Sequence, residues 1–121
     1  MATLVVVDDE SLVTDFLTFL LEGEGYAVHV ASNGRQALEV ISQVRPALII
    51  TDLMMPVMPG LELARTLRKS AEFSHLPIIL CSSVSDSVAQ QEQHLFTAML
   101  RKPYPPAGLV TLVNQSIGAT G

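Results

Sequence analysis

The stretch Ala47-Leu48-Ile49-Ile50-Thr51-Asp52-Leu53-Met54-Met55-Pro56 decides the architecture. Its first four residues are apolar without a break, and the run then stops on a hydroxyl and a carboxylate. A strand with one face in water alternates apolar and polar residues, whereas an unbroken apolar run suits a strand covered by helices on both faces. Leu4–Val7 and Ile78–Cys81 have the same character, and Ala27–Val30 and Ala98–Leu100 are two further short strand candidates. Five such strands imply a parallel sheet.

Between them lie longer stretches with helical spacing. The first, about 11–22, sets Leu12, Phe16, Phe19 and Leu20 on one face, with Ser11 as its expected N-cap. The second, about 34–44, carries Ala37, Leu38, Ile41 and Val44 behind an Asn33 cap. A third, about 60–69, places Leu61, Ala64, Leu67 and Arg68 in order. A fourth, about 85–94, is polar on most faces through Gln90, Gln91, Glu92, Gln93 and His94, and a fifth, about 106–117, presents Leu109, Leu112, Val113 and Ile117. Five strand-helix units joined by right-handed crossovers give an α/β doubly wound three-layer sandwich.

At 121 residues, 49% of them hydrophobic, the chain is expected to be a single domain, 1–121, with an ample core. Its net charge is −5, and six of its twelve acids precede the first basic residue, Arg35. That balance argues against a nucleic-acid surface on this domain. The single cysteine, Cys81, permits no disulfide within the chain and reads as a buried strand thiol. The longest apolar runs are four or five residues, against the ~20 a membrane span needs, and no basic-then-apolar leader is present. The expectation is a cytoplasmic protein with no membrane partner.

In an open parallel sheet the ligand crevice lies beyond the carboxyl ends of the strands. The first strand delivers Asp8-Asp9-Glu10 there, the third Thr51-Asp52, the fourth Cys81-Ser82-Ser83, and the fifth Arg101-Lys102-Pro103. Taken singly, each has an ordinary structural role: an acid can cap the first helix, Asp52 can start a turn, Ser82 can satisfy a backbone group, and Lys102 can sit in solvent. Together they are a different matter. Two carboxylates about 5 Å apart repel by roughly 3 kcal/mol at an effective dielectric of 20, and a shared cation relieves this. Oxygen-only ligands favour a hard ion such as Mg²⁺, and the lack of His and Cys disfavours zinc.

The sequence Val7-Asp8-Asp9-Glu10, the stretch Thr51-Asp52-Leu53-Met54-Met55-Pro56-Val57-Met58-Pro59-Gly60, a Ser after the fourth strand and Lys102-Pro103 together resemble the receiver domain of two-component response regulators, of the chemotaxis-regulator kind. The resemblance covers essentially the whole chain. It implies a flavodoxin-like (βα)5 fold of strand order 2-1-3-4-5, with Asp9 brought against Asp52. Asp52 resembles the phosphoacceptor that attacks a phosphohistidine on a sensor histidine kinase or a histidine phosphotransfer protein. Asp9, Asp52 and the main-chain carbonyl of Met54 would hold Mg²⁺, with Asp8 acting mainly through water. Lys102 would neutralise a phosphoryl oxygen, Ser82 would hydrogen-bond the phosphoryl group and move toward it, and Ser83 would leave it room and lend a backbone N–H. The resemblance also implies a cis Lys102–Pro103 bond and an output domain, fused or separate.

Two features depart from the family pattern. Met99 stands where many receivers carry a switch aromatic, and the first helix is more apolar than one buried stripe requires, which suggests a docking surface beside the acids. Rival classes fit less well. A haloacid-dehalogenase-like phosphatase wants a second Asp two positions after the nucleophile, where Met54 stands. A flavodoxin-type cofactor binder needs a Gly/Ser/Thr-rich loop after the first strand, where the acids would repel phosphate. A degenerate receiver serving only as a phosphorylation-independent interaction module is opposed by the intact Asp52 and Lys102.

Overall fold

The computed structural model describes residues 2–82 and 90–118. Its strands are β1 (Thr3–Val7), β2 (Ala27–Ala31), β3 (Leu48–Asp52), β4 (Ile78–Ser82) and β5 (Ala98–Arg101); its helices are α1 (Ser11–Gly23), α2 (Gly34–Val44), α3 (Gly60–Lys69) and α4 (Pro106–Gly118). All strand pairs are parallel, in the order β2-β1-β3-β4-β5. The five expected strands are therefore present, in the order that the family resemblance implied.

The three central strands are buried on both faces, and the side-chain period of two divides them between two cores. Val5, Val7, Ile49, Ile78 and Leu80 pack under α2 and α3 with Ala37, Ile41, Leu63 and Leu67. Leu4, Val6, Leu48, Ile50, Ile79 and Cys81 pack under α1 and α4 with Leu17, Leu21, Leu109 and Val113. Strands β2 and β5 are the sheet edges; β5 alternates between half-buried and exposed residues, whereas β2 is buried only at Ala31. The fourth expected helix falls largely outside the described residues; of its span, Gln90 and Gln91 are helical and Gln93–Leu95 forms a 3₁₀ turn.

Helix α1 corrects the sequence reading. Its buried stripe is Thr14, Leu17 and Leu21, while Leu12 and Phe19 are each 82% exposed and Phe16 47%. Thr14 can take a core position because its hydroxyl donates to the Ser11 carbonyl (3.1 Å), so no polar group is stranded. Nor does Ser11 cap the helix: it is the first helical residue, and the capping position is Glu10, whose side chain makes no cap bond. The Asn33 cap on α2 does form, its Oδ1 accepting from Gln36 N at 2.9 Å.

Glycine is required where α3 begins. A Cβ on Gly60 would lie 2.2 Å from the Asp52 carbonyl oxygen, and the Gly60 N–H donates to Leu53 O at 2.9 Å. The start of α3 is thus clamped against the end of β3. By contrast, a Cβ on Gly108 in α4 would meet nothing nearer than 3.9 Å. Gly60→Ala is expected to cost at least about 1–3 kcal/mol, the range for overpacking, and Gly108→Ala to be neutral or stabilising by under ~1 kcal/mol. Urea unfolding midpoints check this; equal effects would contradict the clamp.

Candidate functional site

Register in the sheet brings the strand ends together. Val7 on β1 pairs with Thr51 on β3, and Asp52 pairs with Cys81 on β4. The chain beyond each strand is then held by its neighbour: Asp8 N donates to Ala31 O (3.1 Å), Leu53 N to Cys81 O (3.2 Å), and Lys102 N to Ser82 O (2.7 Å). Parallel pairing thus continues one residue past the strands and aims the next side chains at a common point.

At that point one carboxylate oxygen each from Asp8, Asp9 and Asp52 lies within 4.8 Å of the others. Asp8 is buried, Asp52 half-buried and Asp9 exposed. Asp8 is oriented by its own backbone, since Glu10 N donates to its Oδ1 at 2.9 Å; its other oxygen faces Lys102. The Lys102 ammonium sits 3.5 Å from Asp8 Oδ2 and 3.4 Å from Asp52 Oδ1. The Lys102–Pro103 peptide is cis.

The electrostatics follow from this crowding. Burial raises the Asp52 carboxyl above its ordinary value; Lys102 pulls it back and Asp8 adds to the rise, for a net upward shift. For Lys102, burial works downward, but attraction to Asp52 and then Asp8 outweighs it and the net shift is upward. One ammonium therefore serves two of three acids, and the cluster is short of positive charge. The donor set is all oxygen, partly open to solvent and free of His and Cys, which fits a hard divalent cation such as Mg²⁺. Among the described residues it is the one group of three such side chains close enough to hold a metal.

The remaining sequence candidates fall as follows. Ser82 is buried at the end of β4 beside the acids. Ser83 lies outside the described residues. Met54 follows the Asp52 turn with its side chain exposed, and Met99 on β5 is 37% exposed. Three features escaped the sequence reading. Val57 has φ 70°, unusual for a β-branched residue, in a tight turn where Met58 N donates to Pro56 O at 2.7 Å. The Met58 carbonyl in turn accepts from Gly34 N at 3.0 Å, where a Cβ would come within 2.7 Å of Met58; this ties the loop after Asp52 to the start of α2. Finally, Tyr104, the only aromatic residue after Phe96, packs against the core cluster that contains Cys81 and lines an apolar groove of about 420 Å³ with Leu12, Val13, Phe16, Pro103 and Pro106, reached also by Lys102. The signal for Tyr104 was its position directly after Lys102-Pro103.

Residues 4–114 match the response regulator receiver domain family, and the chain belongs to that family. It is similar to chemotaxis response regulator CheY4 of Vibrio cholerae, with a TM-score of 0.87 at 30% identity over 96% of this chain and 98% of that one. It is 35% identical over 114 residues to an uncharacterised 14.6 kDa protein of Leptolyngbya boryana, covering 93% of this chain and 87% of that protein. It is 38% identical over 85 residues to the DNA-binding response regulator MtrA of Mycobacterium tuberculosis, covering 70% of this chain but only 36% of MtrA. The chain thus corresponds to about a third of the length of its MtrA relatives. No helix among the described residues is long and apolar enough to cross a membrane.

The raised Asp52 carboxyl has a stability consequence. The folded state holds a proton on Asp52 more tightly than the unfolded chain does, so stability is lost as pH rises through the folded-state value. Asp52→Asn removes that penalty. The variant is expected to exceed the parent in stability at pH 7, with the advantage vanishing as pH falls below the ordinary carboxylate value of 3.8. Urea titrations at pH 7 and pH 3 measure it; an advantage that grows toward low pH would contradict the account.

Proposed function

We propose that the protein is a phosphoacceptor of a two-component or phosphorelay system, taking a phosphoryl group from a phosphohistidine onto Asp52 and signalling by the resulting change of conformation. The observation that carries this is Asp52 at a strand end, within 4.8 Å of two further acids and 3.4 Å from one ammonium. A carboxylate so placed is oriented for attack. An Asp52 oxygen forms a bond to phosphorus, the P–N bond of the donor breaks, and the imidazole keeps the electron pair. The product is an acyl phosphate.

Asp9, Asp52 and the Met54 main-chain carbonyl are the direct holders of Mg²⁺ in this reading, and Asp8 contributes through water. Bound there, Mg²⁺ supplies the positive charge that offsets repulsion between the acids and the incoming phosphoryl oxygens. Lys102 pairs with a phosphoryl oxygen in place of its present carboxylate partners. Ser82 hydrogen-bonds the phosphoryl group once it is present, and its movement is the first step of the switch; Ser83 leaves space and lends its N–H. The protein catalyses only its own phosphorylation and dephosphorylation and is not otherwise an enzyme.

The partner is a histidine kinase or a histidine phosphotransfer protein, whose phosphohistidine-bearing helix would rest in the groove of Leu12, Phe16 and Pro106, because that groove shares Lys102 with the acid site. The output domain, fused or separate, is a second partner. The acidic balance of the chain supports a cytoplasmic module that itself binds neither nucleic acid nor membrane. The alternative of a phosphorylation-independent interaction module loses its support, because Asp52 and Lys102 are both present and paired.

Acetyl phosphate with Mg²⁺ is expected to label Asp52 alone, giving an adduct labile to base and hydroxylamine and absent in Asp52→Asn. Mg²⁺ should bind the free protein weakly, and Asp9→Asn should weaken it further by about tenfold or more, roughly the value of one lost charged ligand. Labelling that persists in Asp52→Asn would overturn the assignment.

A further inference from the structure

Helix α1 stands between two cavities. Leu12, Val13 and Phe16 line the apolar groove that reaches Lys102. The other flank of the helix, with Ser11 and Asp15 one turn apart, borders a second cavity of about 340 Å³, whose wall Asp8, Asp9, Ser32 and Gln36 help to complete. Asp15 therefore shares a cavity with Asp9, the exposed acid of the cluster. No ammonium or guanidinium lines it. Lys102 is spent on Asp8 and Asp52, and among the described residues no cation pairs with Asp9 or Asp15. The Ser32 hydroxyl gives its proton to Gln36 Oε1 at 2.9 Å, and the Ser32 N–H goes to the same oxygen at 2.6 Å. What that hydroxyl still offers is its lone pairs.

We propose that Asp15 is a positioning residue of the metal site: its carboxylate accepts hydrogen bonds from water that stays on the cation, and so holds the hydration shell on the Asp9 side without touching the ion. The proposal rests on the reading of the acid cluster as a Mg²⁺ site. Mg²⁺ is octahedral and gives up its waters reluctantly, so with Asp9, Asp52 and the Met54 carbonyl as ligands about three positions stay hydrated. Each of those waters is a strengthened donor that needs an acceptor. The Lys102 side presents an ammonium, which is none. The Asp9 side presents the Asp15 carboxylate and the Ser32 hydroxyl, in a space large enough for roughly ten waters at about 30 Å³ each. Asp15 is not among the acids close enough together to hold the ion directly, and a bridging water spans the difference. The same carboxylate repels phosphoryl oxygens, which leaves the Lys102 side as the approach for a phosphodonor.

Calorimetric titration with Mg²⁺ at low salt and at about 0.5 M KCl tests this in the parent, Asp15→Asn and Glu22→Gln. Glu22 is an acid of the same helix that does not line the cavity. At about 0.5 M the screening length is about 4 Å, so a charge acting at a distance is silenced while a bond through one ordered water is not. Asp15→Asn should weaken Mg²⁺ binding by about three- to tenfold at both salt levels, less than the loss of a whole outer-sphere partner because Asn keeps one acceptor oxygen. Glu22→Gln should match the parent at high salt. Because Asp15 is exposed, the urea midpoint of Asp15→Asn without Mg²⁺ should be no lower than the parent's. Equal affinity in Asp15→Asn, a loss that disappears at high salt or is matched there by Glu22→Gln, or a loss that comes with a lower urea midpoint would overturn the role of Asp15 and leave the metal reading intact. Unchanged affinity in Asp9→Asn would overturn the metal reading and the proposal with it.

Discussion

One ammonium shared between two carboxylates is the interaction on which the site depends. Lys102 lies 3.4 and 3.5 Å from Asp52 and Asp8, and without it the strand ends would bring three negative charges together with nothing between them. The sheet imposes that approach. Its parallel register fixes where each strand stops, and the backbone bonds from Leu53 to Cys81 and from Lys102 to Ser82 carry the alignment one residue further. The acids are adjacent because the apolar runs before them must be buried side by side. The cost of their repulsion is borne by two cores that pack both faces of the sheet.

The same frame explains why the site is stiff in some directions and open in others. Gly60 locks α3 against Asp52 from beneath. The strained turn at Val57 and the Gly34–Met58 bond fasten the loop that carries Met54 to α2. Asp9, in contrast, is exposed, and the groove beside Lys102 is apolar and accessible. The acid groups are thus held from one side and left accessible from the other. The surplus apolar residues of α1, which no core demands, border that open side.

Much of this was legible in the sequence. The unbroken runs Leu4–Val7, Ala47–Ile50 and Ile78–Cys81 marked the central strands, and the acids that follow the first two come together because burial and register leave them nowhere else to go. The face of α1 was not legible. Seven apolar residues wrap most of that helix, so periodicity permits several stripes, and the true one runs through Thr14, a residue whose polarity is cancelled by a bond within its own helix. The Ser11 cap was misjudged for a related reason: the Asp8 carboxylate takes the Glu10 N–H and starts the chain reversal one residue earlier than a capping serine would. The groove that Tyr104 lines with Leu12, Val13 and Phe16 joins residues from opposite ends of the chain, and only the three-dimensional fold brings them together.

The central claim is that the acid cluster is short of positive charge and that Lys102 compensates it only in part. The most direct measurement is Mg²⁺ affinity by calorimetry in the parent and in Lys102→Met. Removing a unit positive charge within 3.5 Å of two of the acids should tighten Mg²⁺ binding by at least about threefold even with strong solvent screening. Unchanged or weaker binding in Lys102→Met would contradict the account, since the three carboxylates would then not be competing for positive charge at all.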